Sequence, residues 1–600
     1  MKSTGAAKWG GTAASVAALI CLAVAARAAP PPAFEWTTVV NNTYEIPGVT
    51  PARRFNSYNP PSVNRSGRVV LRARSRGGPP LGPATHGIYR RDISACGAAP
   101  SPIVRILDRS ELVPEPNNLA TTFVETPSFP RIDAWTATIV TRGNHPPVWS
   151  YDDPEETRAG TSGIYCDPFG DLISGAAKLG SVPDFSMMAV PGASPPISFD
   201  VFPGAPSVTS GPLGDVAIVF KGNFTVPAPT PEDPEATAAA TGVYYRDLSD
   251  APLVLLDGTE LSPAGGTAPI VRIADSTTTR IPGTSLLFGS TAPPSAALRA
   301  AVFTGLDDEA NPAFGGIYLA PLVPSPDGEQ PALTELVRIS ERVPGEPVHS
   351  VFTRLGEALA FDGRHVAFWG AWGTVSVTDP DTGEVDCVSG CRQVSVSCPT
   401  EGNARRIEYC LLGSPLSDPD LDPDIPENHT GVYVLEVPVH QGIFVHDTEL
   451  GRTRAVAKTG ARFQDFVFWA FTGRVPGVGE GEDGSDDDGE PARFRSSTFV
   501  AVSAGPGATY LVAFKAMSGD ETGVYLQRGP GQSALSTVAE TGMDGRDIDP
   551  DAPAGSVVTE LGFEREGLRG KWLVLQAKMG LAGGTEEDAM AGIYGTRLPD

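Results

Sequence analysis

A tripeptide, Gly-Ile-Tyr or Gly-Val-Tyr, recurs seven times along this 600-residue chain, at Gly87, Gly163, Gly242, Gly316, Gly431, Gly523 and Gly592. The intervals are 76, 79, 74, 115, 92 and 69 residues. A period of this length means one structural unit copied along the chain, and it constrains the fold more than any other feature. Other elements travel with the tripeptide in a constant order. A short apolar word follows it: Ile103-Val104-Arg105-Ile106, Ile270-Val271-Arg272-Ile273 and Leu336-Val337-Arg338-Ile339, each with Asp or Glu two residues on. An aromatic-rich stretch comes next and often meets a Pro-Ser pair, as at Pro61-Ser62, Pro127-Ser128, Pro206-Ser207 and Pro294-Ser295. A strongly apolar run such as Val216-Ala217-Ile218-Val219-Phe220 then leads to the next tripeptide.

Each unit thus offers four short segments rich in Val, Ile, Phe and Tyr, bounded by Gly, Pro, Asn and Asp, which is the pattern of strands and turns. Beyond the N-terminus no apolar pattern has a helical period long enough for a helix. Four strands repeated seven times predict an all-β fold, a seven-bladed β-propeller of four-stranded antiparallel blades. A β-solenoid has shorter coils, and two β-sandwiches would not repeat one motif order along the whole chain. The tyrosines read as packing residues with the hydroxyl at an edge. Trp36-Thr37-Thr38-Val39-Val40 resembles the strand that follows a tripeptide but has none before it, whereas Gly592-Ile593-Tyr594 lacks a strand after it. The expected closure therefore pairs 36–40 beside Ile593-Tyr594.

The units resemble those of secreted, mostly uncharacterised β-propeller-like repeat proteins whose units end in Gly-Ile-Tyr/Phe and carry a Pro-Ser-(Leu/Val)-Asn…Gly-x-Val-Ala-Phe core. Pro61-Ser62-Val63-Asn64, Gly67 and Val69-Val70-Leu71 match best, and the resemblance spans about residues 36–595, degenerate in units five and six. It implies a fold and no particular activity. Many such proteins end in an anchoring segment, and this chain ends in Arg597-Leu598-Pro599-Asp600.

Residues 1–28 have the parts of a signal peptide: Lys2 and Lys8, a 14-residue apolar run from Ala13 to Ala26, and Ala26-Arg27-Ala28 at the cleavage site. That run is short of the roughly 20 residues a membrane span needs. A secreted, extracellular protein (periplasmic in a bacterium) is expected, with no membrane span after cleavage and as a monomer. The expected domains are 1–28 as signal peptide and 29–600 as one propeller, with units ending near 89, 165, 244, 318, 433, 525 and 594. Two inserts enlarge it, about 376–428 (Cys-rich and acidic) and 476–492 (acidic).

The net charge of −26 argues against nucleic acid, which needs a basic surface. Removing Cys21 with the leader leaves Cys96, Cys166, Cys387, Cys391, Cys398 and Cys410. An even count in an exported chain predicts disulfides, within 387–410 for four of them and between Cys96 and Cys166 for the others. Zinc competes for the four-Cys segment, but paired C-x2-C knuckles are missing. Asn41, Asn64, Asn223 and Asn428 begin glycosylation sequons in segments that read as turns.

The functional inventory is thin. Asp418, Asp420, Asp422 and Asp424 alternate like a calcium loop, but Pro423 and His429 stand where an EF-hand needs Gly and Glu, so Ca2+ is the one cofactor to consider. Asp547, Asp549 and Asp551 form a second acidic cluster, read as solvated. None of the seven histidines lies in H-E-x-x-H, no G-x-S-x-G elbow is present, and no S-x-D-x-G-x-x-W Asp-box is intact. The reading is a non-catalytic scaffold that binds an extracellular protein or glycan. The alternative is an extracellular hydrolase or lyase with carboxylates in the central funnel. Convergent Asp, Glu, His or Arg with perturbed pKa values at the axis would favour the enzyme, and a funnel of Gly, Ala and Ser the binder.

Overall fold

The computed structural model describes residues 34–599 except 78–81, 94–98, 115–120, 128, 146–160, 169, 182–185, 212–214, 232, 235, 249–252, 255–259, 262–267, 310, 323–329, 374–376, 379–384, 387–390, 398–431, 461, 473–492, 532–534, 582–583 and 585–588. Residues Glu35–Asp600 form one compact unit. It is built from seven antiparallel sheets of four main strands, taken in chain order in six of them and completed by the N-terminal strand in the seventh. Blade 1, for example, runs Phe55–Tyr58, Arg68–Ser75, His86–Asp92 and Val104–Asp108, with Ser62–Val63 as a short inner strand. The seven innermost strands are Ser62–Val63, Arg131–Ile132, Ser207–Ser210, Ser295–Ala297, Ala360–Phe361, Val500–Ala504 and Leu568–Arg569. Each touches the next and the last touches the first, so the blades close a ring.

The closure is the expected one. Strand Trp36–Asn41 is the outermost strand of blade 7, with Thr38 opposite Tyr594 and Val40 opposite Ile593. A polar latch reinforces it. Asp549, in the loop entering blade 7, accepts hydrogen bonds from Asn41 Nδ2 (2.8 Å) and from the Tyr594 hydroxyl (2.9 Å), all three being buried. This corrects the reading of the 547–551 cluster as solvated: Asp549 joins the two ends of the chain, and also accepts from the Asp551 amide at 3.0 Å.

The tripeptide forms the third strand of a blade, and one more strand follows it. In all seven blades the pairing of third and fourth strands slips by one residue beside the tripeptide, a β-bulge. There the fourth strand's backbone comes in over the glycine: a Cβ on Gly316 would lie 2.0 Å from the Val337 carbonyl oxygen. The glycine is needed for that approach, not for its φ angle. In six blades the aromatic two residues on packs edge-to-face on a phenylalanine from the stretch before that blade's own inner segment. The pairs are Phe55–Tyr89, Phe123–Tyr165, Phe199–Tyr244, Phe288–Tyr318, Phe352–Phe444 and Phe463–Tyr525, at 4.8–5.3 Å between ring centres. Such pairs add about 0.5–1.5 kcal/mol beyond the area they bury.

Blade 5 departs from expectation. Its third strand is His440–Asp447, so Gly442-Ile443-Phe444 fills the tripeptide position instead of Gly431-Val432-Tyr433. Val432–Pro438 pairs with Cys391–Ser397 in a separate two-stranded sheet within the insert. Gly442 passes the same test as its counterparts, because a Cβ there would meet the Ala457 carbonyl oxygen at 2.7 Å.

The core lies between blades. Ile164 and Cys166 of blade 2 pack with Val208, Ile218 and Phe220 of blade 3, and further clusters join blades 3 with 4, 4 with 5, 5 with 6, 7 with 1 and 1 with 2. No blade buries its faces alone, so the ring is the unit of stability.

Candidate functional site

The inner strands bring the Pro-Ser pairs to the axis. Ser62, Ser207 and Ser295 each open an inner strand opposite a valine of the next strand, namely Val70, Val219 and Val302. In blade 2 that position, opposite Val140, is held by Arg131. The pair Pro127-Ser128 is not the counterpart, because the inner strand begins after Pro130; Ser128 itself lies outside the described residues. Ser62 donates its hydroxyl to the Pro130 carbonyl (2.8 Å), and Ser207 Oγ accepts from the Ala296 amide (3.0 Å), tying neighbouring blades round the axis.

Blade 7 supplies a charged segment, Glu564-Arg565-Glu566, followed by Arg569, and all four are at most 7% exposed. Arg131 Nη2 donates to Glu564 Oε2. Arg569 Nη1 donates to the Val502 carbonyl (3.0 Å), and its Nη2 lies 3.9 Å from Glu566 Oε1. Arg565 crosses the axis to donate to the carbonyls of Ala205 (3.2 Å, entering blade 3) and Pro293 (3.4 Å, entering blade 4). Burial, and then the Arg131 charge, push its pKa down to about 10. Sequence reasoning missed this cluster. A unit-by-unit alignment of the Pro-Ser position would have exposed Arg131, but nothing local marks residues 564–569.

The turns that follow the inner strands meet on one face. Asn64 Oδ1 accepts from the Ser66 and Arg68 amides (3.1 and 2.9 Å), and Asp133 Oδ1 accepts from the Trp135 and Thr136 amides (2.9 and 2.7 Å). This explains the Asn of the Pro-Ser-Val-Asn core as a turn cap. Arg65 stacks on the half-exposed Trp135 ring at 3.9 Å and donates to the Ala504 carbonyl of blade 6 (3.3 Å). Burial lowers its pKa, with Asp362 opposing and Arg569 reinforcing the shift. Leu298, on the corresponding turn of blade 4, is also half exposed.

Outside the axis, His365 is fully buried with Nδ1 3.1 Å from Asp362 and Nε2 3.8 Å from Asp447, which Arg364 grips at 2.8 and 3.0 Å. With no exposure, this group supports the join of blades 5 and 6. His446 bonds Thr453 Oγ1 at 3.0 Å and His440 is exposed, so the two do not converge.

Asn41 and Asn64, expected in turns as glycan acceptors, are at most 2% exposed, and both amides donate within the fold, Asn64 to the Thr136 carbonyl at 2.8 Å. A glycan on either would require the side chain to leave its pocket. Asn223 sits within strand Val216–Pro227 and not in a turn, and Asn428 lies outside the described residues. Cys166 is buried without a cysteine partner among the described residues. Cys96, Cys387, Cys398 and Cys410 lie outside them, Cys391 is described only as a strand residue, and Asp418, Asp420, Asp422 and Asp424 also lie outside. The 1–28 segment and 476–492 lie outside as well.

No protein-family model and no curated protein matches the sequence. Among solved structures, Trypanosoma rangeli sialidase aligns over 94% of this chain at 7% identity and a TM-score of 0.29, and this chain spans 58% of its length. A structure titled for GH130 mannoside phosphorylases and glycoside hydrolases that target β-1,2 mannosidic linkages in Candida mannan aligns over 59% of this chain and 96% of its own, at 11% identity and a TM-score of 0.23. GH43 BlXynB from Bacillus licheniformis aligns over 91% and 96% at 10% identity and a TM-score of 0.15. At these scores none of them assigns a role to any residue here.

Proposed function

We propose that the protein is an exported, non-catalytic propeller scaffold that binds an extracellular protein or glycan through loops on one rim. Arg and Glu side chains do converge at the axis, and the lowered pKa of Arg565 is the sign expected of an enzyme; what supports the scaffold is that these groups are buried and largely bonded to one another or to backbone carbonyls. Arg131 and Glu564 are spent on one another, and Arg565 is spent on carbonyls across the ring. A glycosidase needs two carboxyl groups roughly 5–10 Å apart with room for substrate and water between them. The carboxylates at this axis, Glu564 and Glu566, are buried instead. On the face where the inner turns meet, exposed Trp135 stacked by Arg65 offers the aromatic platform and charge that binding surfaces favour.

The alternative is an extracellular hydrolase or lyase using Glu564 and Glu566, with Ca2+ held by acidic loops. Glu566 Oε2, buried without a hydrogen-bond partner, is the observation that favours it. Glycan and extracellular-protein arrays, run beside a glycosidase and lyase panel with and without Ca2+, decide between the two. Binding that falls at least tenfold in Trp135→Ala, with no turnover, is the expected result. Turnover that is lost in Glu566→Gln would replace the scaffold reading with the enzyme. Peptide mapping without reductant tests the pairing of Cys166 with Cys96.

A further inference from the structure

Arg131, Arg565, Arg569, Glu564 and Glu566 carry a surplus of one positive charge at the axis, and the neighbouring Arg65 and Asp362, one of each sign, leave that surplus unchanged. Two of the arginines face a carboxylate: Arg131 meets Glu564, and Arg569 meets Glu566 at 3.9 Å. Arg565, 4% exposed, has no carboxylate within ion-pair distance among the described residues. Its terminal nitrogens are satisfied only by the neutral carbonyls of Ala205 and Pro293. Glu566 and Glu564 favour its charged form from beyond ion-pair distance, while burial and the Arg131 and Arg569 charges oppose it, and a buried guanidinium with no counter-charge in direct contact is unfavourable. Unused hydrogen-bonding capacity is present here as well. Nε of Arg131, Arg565 and Arg569 and the hydroxyl of Ser295 are all buried and have no partner among the described residues. Against these four donors stands a single unpartnered acceptor, Glu566 Oε2. Arg565 bonds the Pro293 carbonyl, two residues before Ser295 in the chain.

We propose that the channel holds one small monovalent anion of chloride size beside Arg565. The Arg565 Nε–H is its first donor, and the orphaned N–H groups of Arg131 and Arg569 and the Ser295 hydroxyl are the further donors available. Water would satisfy the donors but leave the charge standing. A doubly charged oxyanion would overcompensate a surplus of one and face the Glu566 carboxylate. A carboxylate carried by a larger ligand has no route to residues this buried. The anion fills the axis as an internal counter-charge and leaves the rim for partners.

The test uses the wild-type protein, purified free of halide in gluconate. Melting is followed while chloride, bromide, acetate or sulfate is added at constant ionic strength. A site bound only in the folded state raises the midpoint saturably, by about 2 °C at a hundredfold excess over Kd for a chain of this length. Chloride and bromide should give that rise, and acetate and sulfate should not. Crystals grown in bromide should show one anomalous peak in the channel beside Arg565. Arg565→Met should abolish the halide dependence, and if that variant does not fold, the wild-type titration and anomalous map still decide. A melting midpoint indifferent to halide, or a channel holding water and no bromide, overturns the proposal.

Discussion

Replacing Asp549 by Ala should open the ring at its seam. The carboxylate accepts from Asn41 Nδ2 on the N-terminal strand, from the Tyr594 hydroxyl on the C-terminal strand and from the Asp551 amide. Hydrogen bonds to a charged acceptor contribute about 1.5–3 kcal/mol each, and a buried donor left unpaired costs about 1–3 kcal/mol. Asn41 and Tyr594 are both at most 1% exposed, so neither can turn to water without moving its strand. The expected loss is therefore about 3–5 kcal/mol for Asp549→Ala. Tyr594→Phe should lose about 1–2 kcal/mol, because Asp549 keeps its other donors. Equilibrium urea unfolding followed by tryptophan fluorescence measures both, and the double variant completes a cycle. The two effects should overlap by at least about 1 kcal/mol, since they share one bond. Limited proteolysis should also cut near residues 36–41 sooner in Asp549→Ala than in the wild type. An Asp549→Ala protein within about 0.5 kcal/mol of wild type, or a strictly additive cycle, would refute the latch.

Gly316→Ala should lose about 2–4 kcal/mol, because its Cβ would sit 2.0 Å from the Val337 carbonyl, whereas Gly531→Ala, with nothing within 4 Å, should be near neutral. Equal stabilities by urea titration would dismiss the bulge as the reason the glycine recurs in the repeated units. Burial lifts the Asp167 carboxyl from 3.8 to about 7, against the opposing bond from the Ile139 amide. The folded state then holds this proton more tightly than the unfolded chain, so its contribution is full below about pH 4 and is lost as pH rises through about 7. Asp167→Asn escapes that loss; its melting midpoint should gain on wild type from pH 4 to 7 and then hold level, and a constant difference across that range would contradict the assignment. Trp135→Ala, half exposed in the native state, should cost no more than about 1 kcal/mol of stability on thermal melting, so that a loss of binding reports on the rim itself.

The order of strands, the number of blades and the closure by residues 36–40 were legible because they are written locally. Alternating apolar residues make strands, Gly and Pro make turns, and a repeated order of such pieces can bury its faces only by stacking with copies of itself. The glycine of each tripeptide was visible too, although its reason, a bulge in the neighbouring strand, was not. Local likeness also misled. Gly431-Val432-Tyr433 spells the motif, but Val432 and Tyr433 pair within an insert, and Gly442-Ile443-Phe444 takes the structural place with Phe in the aromatic position. Asn41 and Asn64 read as sequons in turns, yet their amides are consumed by bonds to Asp549 and to the next blade. Arg131 apart, which an alignment of the Pro-Ser positions exposes, the axis belonged to tertiary structure. Arg131 and Glu564 are 433 residues apart, and Arg565 reaches carbonyls 272 and 360 residues away. Sequence patterning reports what a residue does with neighbours a turn or a strand away. Only closing the ring brings seven separate inner strands within hydrogen-bond reach, and with them the charges that decide whether the channel is open or filled.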